Sequence, residues 1–300
     1  MRKSILLILV SMMIFTLSAC GGDKDEAGKV VVSGKEFTEQ VILSHIIGEY
    51  LKENTDLDVV MEDSLGSTFV VHKAMENGEV DLYVEYTGTA LENVLEEDFD
   101  PELSTDEIYD LVKERYEDEY NMKWLEPLGF NNTYTLAMNP NLNDELGITT
   151  YSELADHASD IVFAGTPEFH ERDDGYDAFV EAYDIDEFAD KVTLDADLMY
   201  EAAAQGEVDV ITAFATEAKI DQFDLQTLED DKHFFPPYDA GIVIRQEVLD
   251  ANPELEEALN KLEGLLNDER MRELNGRAAK DGKREEDIAI EFLEEEGLID

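Results

Sequence analysis

The segment Ala74-Met75-Glu76-Asn77-Gly78-Glu79-Val80-Asp81 returns later in the chain as Ala202-Ala203-Ala204-Gln205-Gly206-Glu207-Val208-Asp209. Each copy closes a helical pattern, turns at a glycine and enters a β-branched run. The first run ends on Tyr86 and the second on Phe214. A helix–turn–strand unit used twice restricts the chain to folds with two similar halves. Each half then presents an aromatic ring at the end of a strand. In open α/β sheets ligands bind beyond the carboxyl ends of strands, and two rings facing one cleft can hold a cation through their faces.

The N-terminus reads as a targeting segment. Arg2 and Lys3 form a short basic start, Ile5 to Phe15 an apolar core, and Leu17-Ser18-Ala19-Cys20 a small-residue site before a cysteine. That run is too short for a membrane-spanning helix of about 20 residues. Cys20 is the sole cysteine in the sequence, so no internal disulfide can form. Its place predicts lipid attachment, with residues 1–19 as signal peptide and 20–28 as a polar tether. The protein is expected outside the cytoplasm, touching the membrane through that anchor only.

The chain carries 74 acidic against 22 basic residues, a net charge of −52. Nucleic-acid binding is excluded, because phosphates demand Lys and Arg. Disorder does not follow, since 43% of residues are apolar and periodic. The acids are spread over the whole length and read as a solvated coat suited to a salty exterior. No Asp-x-Asp-x-Asp-Gly calcium loop is present.

Hydrophobic periodicity alternates strand and helix. Strands are predicted at Val30–Val32, Leu57–Met61, Val80–Val84, Thr133–Met138, Ile161–Ala164, Val192–Leu194 and Val208–Phe214. Helices are predicted between them, at Phe37–Lys52, Phe69–Met75, Thr105–Glu119, Tyr151–Ala155, Asp177–Tyr183 and Leu198–Ala204. Ser104 followed by Glu107 reads as a capping box. Phe234-Phe235-Pro236-Pro237-Tyr238 is a stiff aromatic crossing, since each proline fixes φ and lacks a donor. Beyond it only helices are predicted, at Asn252–Leu265, Glu269–Ala279 and Glu285–Glu295, so this tail packs on an earlier lobe. The domain plan is therefore lobe one at 29–133 plus 236–300 and lobe two at 134–235. Two crossings near Thr133 and Phe235 would act as a hinge.

Enzyme chemistry has little support. None of the five histidines pairs at a metal-ligand spacing, and His170 reads as a loop residue. No Gly-x-Ser-x-Gly elbow, phosphate loop or dinucleotide fingerprint occurs, so no cofactor or metal is expected. Aromatics carry more information. Tyr86 begins Tyr86-Thr87-Gly88-Thr89, Tyr134 and Tyr238 flank the crossings, and Phe214 ends the second echo. These four border one cleft, and ring faces are the physical means of holding a quaternary ammonium, which has no N–H to donate.

The ordered motifs Gly34-Lys35-Glu36-Phe37-Thr38-Glu39-Gln40, Leu65-Gly66-Ser67-Thr68 and Glu85-Tyr86-Thr87-Gly88-Thr89 carry a family resemblance. Further matches are Glu168-Phe169, Arg172 with Asp174-Gly175-Tyr176, Leu198-Met199-Tyr200, Gly206–Asp209 and Lys232 to Tyr238. Together they resemble the osmoprotectant (glycine betaine/choline/carnitine-type) substrate-binding proteins of ABC transporters. That resemblance implies a two-lobed α/β protein of the type II periplasmic-binding-protein fold. Each lobe would be a mixed, mostly parallel sheet flanked by helices, with two hinge crossings. It implies a monomer that captures a small quaternary-ammonium solute for an ABC permease and its ATPase. The aromatic cage then falls on Tyr86, Tyr134, Phe214 and Tyr238, and contacts to a substrate carboxylate fall on Lys35, Gln40, Thr89 and Arg172.

Three positions depart from the family pattern: Phe214 replaces a common Tyr, Glu36 a frequent Asn, and Phe69 a small or polar residue. Phe69 is expected to narrow the pocket toward glycine betaine or proline betaine. The competing readings are a choline binder, which needs no carboxylate contact, a tethered surface enzyme, and a sensory lipoprotein without a transporter.

Overall fold

The computed structural model describes residues 28–171 and 175–300. Its strands are β1 (Lys29–Lys35), β2 (Asp58–Gly66), β3 (Leu82–Tyr86), β4 (Met122–Asn131), β5 (Tyr134–Met138), β6 (Val162–Gly165), β7 (Asp190–Thr193), β8 (Val210–Phe214), β9 (Gln226–Leu228) and β10 (Asp239–Arg245). They form two sheets of identical plan, ordered β2-β1-β3-β10-β4 and β7-β6-β8-β5-β9. Both are α/β layers with helices on the sheet faces. In the first, β1 runs parallel to β2 and β3, while β10 runs antiparallel to β3 and β4. In the second, β6 runs parallel to β7 and β8, while β5 runs antiparallel to β8 and β9. The mixture is therefore even, with a larger antiparallel share than the sequence pattern suggested. The reason is that β4, β9 and β10 were not recognised as strands.

β10 corrects the expectation of a purely helical tail. It lies between β3 and β4, its residues Ala240 to Ile244 almost wholly buried. A strand covered on both faces reads as an unbroken apolar run and shows no alternation. The helices Asp268–Asp281 and Glu285–Glu295 then return onto helix Thr38–Asn54, where Met271, Leu274, Ile288 and Phe292 pack with Ile42, Leu43, Ile46 and Ile47. On the opposite face, helix Thr105–Tyr120 lays Ile108, Val112 and Tyr116 against Trp124 and Met75. Ser104 and Glu107 do form the reciprocal capping box that starts this helix.

The echoed segments are realised as the same device. Helix Thr68–Glu76 leads to Gly78 at φ 76°, and helix Ala196–Gln205 to Gly206 at φ 73°, a left-handed geometry suited to glycine. Each turn delivers an aspartate onto the neighbouring parallel strand. Asp81 Oδ2 accepts the Val31 N–H at 2.8 Å, and Asp209 Oδ2 accepts the Val162 N–H at 2.8 Å. The aspartates' own N–H groups donate to the carbonyls of those same residues, at 2.9 Å in both lobes.

The crossings are tied to one another. Asn132 N–H donates to the Tyr238 carbonyl at 3.1 Å, Tyr238 N–H to Asn131 Oδ1 at 2.7 Å, and Thr133 Oγ1 to the Pro236 carbonyl at 2.7 Å. The tail helix makes a third connection. Arg272 Nε donates to Asp221 at 2.8 Å, its Nη1 to the Ala215 carbonyl at 2.7 Å, and Asn275 Nδ2 to the Thr216 carbonyl at 3.0 Å.

Candidate functional site

The carboxyl ends of β1, β3 and β8 open onto one cleft of about 850 Å³. Lys35 and Tyr86 enter it as the last residues of β1 and β3, Phe214 as the last residue of β8, and Tyr134 as the first of β5. Tyr238 arrives from the second crossing and Thr89 from the short helix after Tyr86. All four predicted rings thus line the same space. A second cavity of about 590 Å³, lined by Phe99, Asp106, Asp230 and Phe235 among others, includes only Tyr134 of the four.

The rings are held differently. Tyr86 is 4% exposed and its hydroxyl donates to Glu39 Oε1 at 2.6 Å; burial pushes its pKa well above the ordinary tyrosine value. Tyr134 is backed by an aromatic stack, with Phe235 at 5.5 Å and 27° between planes and Phe169 at 5.9 Å. Phe214 lies 4.5 Å from Tyr134, yet 46% of it faces solvent. Tyr238 passes so close to the turn after Tyr86 that a Cβ on Gly88 would meet its ring at 2.9 Å, so only glycine fits there.

Lys35 does not stand free to meet an anion. Its ammonium is buried in an ion pair with Glu85, donates to Thr68 Oγ1 at 3.0 Å, and lies 4.7 Å from the centre of the Tyr86 ring. Glu85 is itself fully buried and accepts the Tyr83 hydroxyl at 3.1 Å and the Tyr86 N–H at 2.8 Å. Gln40 is 1% exposed beneath the wall rather than in it. Its Oε1 accepts the Lys35 N–H at 3.4 Å, and its Nε2 has no protein partner. Phe69 follows the lining residues Ser67 and Thr68 but is 63% exposed and is not part of the wall. Arg172 and Cys20 lie outside the described residues. His170 is not in a loop: it sits on helix Pro167–Glu171 with Nε2 at 3.1 Å from the Val192 carbonyl, and burial lowers its pKa.

Sequence reasoning missed Glu39, Asn132, Thr216 and Asn275, all of which line the cleft. Glu39 is 4% exposed and receives the side chains of the other three besides Tyr86. It stood inside a quoted motif, but in a chain with 74 acids nothing but burial singles it out. The two asparagines come from a crossing and from the tail helix, segments brought together only by the fold.

Residues 28–295 match the family model for the substrate binding domain of ABC-type glycine betaine transport systems. The carnitine transport binding protein OpuCC of Listeria monocytogenes serotype 1/2a (strain 10403S) is 34% identical, over 99% of this chain and 96% of that protein. The ergothioneine transport permease/ergothioneine binding protein EgtU of Helicobacter pylori (strain G27) is 36% identical over 91% of this chain, which spans only 48% of that protein's length. A crystal structure of a glycine betaine/carnitine/choline ABC transporter superposes with a TM-score of 0.86 at 28% identity, covering 90% of this chain and all of the other. These are transport proteins rather than enzymes, of the type II binding-protein fold. A matched family model, a relative similar over nearly its full length and a shared two-sheet plan agree: this chain belongs to the extracytoplasmic substrate-binding family of ABC-type glycine betaine transport systems.

Proposed function

We propose that the chain captures glycine betaine, or a close trimethylammonium relative such as carnitine, in a cage formed by Tyr86, Tyr134, Phe214 and Tyr238. The observation that carries this reading is that four rings from both halves of the molecule line one cleft. Ring faces attract a desolvated cation by about 2 kcal/mol or more, and a methylated nitrogen offers no N–H to donate. Thr89 and Arg172 would meet the carboxylate, Arg172 bidentately from lobe two as the clamp closes about the two crossings. Lobe one at 29–133 plus 236–300 and lobe two at 134–235 are the bodies that move. Cys20 would anchor the monomer by lipid beside its permease and ATPase, with the acidic coat suiting a salty exterior.

One observation favours a second reading, choline. Glu85 already neutralises Lys35, which leaves the described wall without a free cation for a carboxylate. Calorimetric titration with glycine betaine and then choline separates the two. Tight binding of betaine, lost in Arg172→Ala, supports the first reading. Binding of choline alone, unaffected by Arg172→Ala, replaces it with the second. Silence toward both, and toward carnitine, would sink the cage. Phe69 would set preference only if closure brings its ring inward; an unchanged preference in Phe69→Asp would discard it.

A further inference from the structure

Glu39 is the second residue of helix Thr38–Asn54, and its carboxylate forms part of the cleft floor although it is only 4% exposed. Its oxygens are well satisfied. Tyr86 hydroxyl and Asn132 Nδ2 donate to Oε1 at 2.6 and 3.0 Å, Asn275 Nδ2 donates to Oε2 at 2.9 Å, and the Thr216 side chain donates as well. All four donors are neutral. Hydrogen bonds occupy the lone pairs of a buried carboxylate but leave its charge without a counter-ion.

The surrounding charged groups do not provide one. Lys35, from β1, is bound to Glu85 of β3. Glu36 and Glu217, the other charged side chains on the cleft wall, are acids. From the tail helix the carboxylate meets Asn275, while Arg272 is turned to Asp221. The first turn of its own helix contributes only a partial positive charge.

We infer that the ligand's ammonium is the counter-ion Glu39 lacks, so that this carboxylate supplies the charge, and the rings the shape, by which the cleft selects a cation. The inference rests on the quaternary-ammonium reading and deepens it. Because the same two oxygens join Tyr86 of β3, Asn132 of a crossing, Asn275 of the tail helix and Thr216 after β8, a cation drawn to Glu39 acts on both halves of the clamp. Burial raises the Glu39 pKa in the empty cleft, and an arriving cation must lower it again. Binding therefore releases a proton, and affinity falls as the solution is acidified.

Titration of the full chain with glycine betaine and with choline, in buffers of differing ionisation enthalpy between about pH 5 and 7.5, counts that proton. The wild-type chain should release protons on binding toward the acid end of this range and lose affinity as the pH falls. Glu39→Gln should bind roughly ten- to a hundredfold more weakly at the upper pH, with no proton release. Burial pushes the Asp239 carboxyl up to about 7, away from the cleft wall, so Asp239→Asn should leave the proton count unchanged. Wild-type binding without proton release, or release that persists in Glu39→Gln, overturns the inference while leaving the cage intact. Should Glu39→Gln fold poorly, Glu39→Asp, which keeps the charge but shortens its reach, should weaken binding while retaining proton release; a Glu39→Asp chain that binds as wild type overturns the inference. Failure of glycine betaine and choline to bind at all removes the cage reading and this inference with it.

Discussion

The two copies of the helix–turn–strand unit share a backbone and differ in what they hold. In both, an aspartate after a left-handed glycine clamps the neighbouring parallel strand with paired 2.8 and 2.9 Å bonds. In the first half, Asp81 also pairs with Arg245 at 3.0 Å, at the end of β10. At the matching end of β5 in the second half stands Asn139, whose Nδ2 caps the helix by donating to the Ala203 carbonyl. The strand ends diverge further: Tyr86 is sealed in a network with Glu39, while Phe214 is nearly half exposed. The first half therefore offers a preset surface, and the second a ring whose apolar face is left to be covered. In the proposed clamp, one jaw would keep its order and the other would leave the energy of burial for closure.

The largest expected contrast is in pH response, because the carboxyls raised by burial, Asp239 (to about 7), Asp268 and Glu39, all belong to the first half. Each holds its proton more tightly folded than unfolded. Their stabilisation is complete below about pH 4 and is lost as pH rises through the folded values, near 7 for Asp239. Melting temperature should rise on acidification from neutral, and Asp239→Asn should flatten part of that slope; a parallel slope in the variant would break the assignment.

Next in size is the aspartate pair. Asp81→Ala removes one of the two carboxylate partners of Arg245, Glu247 remaining, as well as the acceptor of the Val31 N–H, and should cost about 2 kcal/mol, against about 1.5 kcal/mol for Asp209→Ala. Equal shifts in urea unfolding would mean that Arg245 adds nothing. Phe214→Ala should weaken betaine binding by about 1.5 kcal/mol with little change in melting, whereas Tyr86→Phe should cost about 1 kcal/mol of stability by removing a buried donor to Glu39. A reversed pattern would remove the preset-jaw distinction. The smallest effects belong to the turns. Gly206→Ala should cost about 1 kcal/mol for its φ alone, and Gly78→Ala slightly more because the new Cβ meets the Arg245 guanidinium at 3.2 Å.

Much of this was legible in the sequence because the signal was local. The echoed motif, the Ser104 cap and the helix faces depend on neighbours a few residues apart. β4 was hidden because Pro127, Gly129 and irregular pairing with β10 break its alternation, and β10 because both its faces are covered. The four rings were found because strand ends are predictable places. Lys35 does line the cleft as expected, but its pairing with Glu85 joins strands fifty residues apart in sequence, and no local pattern reports that. Glu39 was hidden by the abundance of its own kind.

The position of β10 also orders events during synthesis and export. The first sheet cannot close until residues 239–245 are available, because β10 lies between β3 and β4. Until then both strands present open edges toward the gap, the kind of surface that pairs with other chains. The second sheet is drawn from one unbroken stretch and can form while the first waits. A chain interrupted before Arg245 would thus yield one finished lobe and one adhesive one, which makes the last fifth of the sequence the guard of the first.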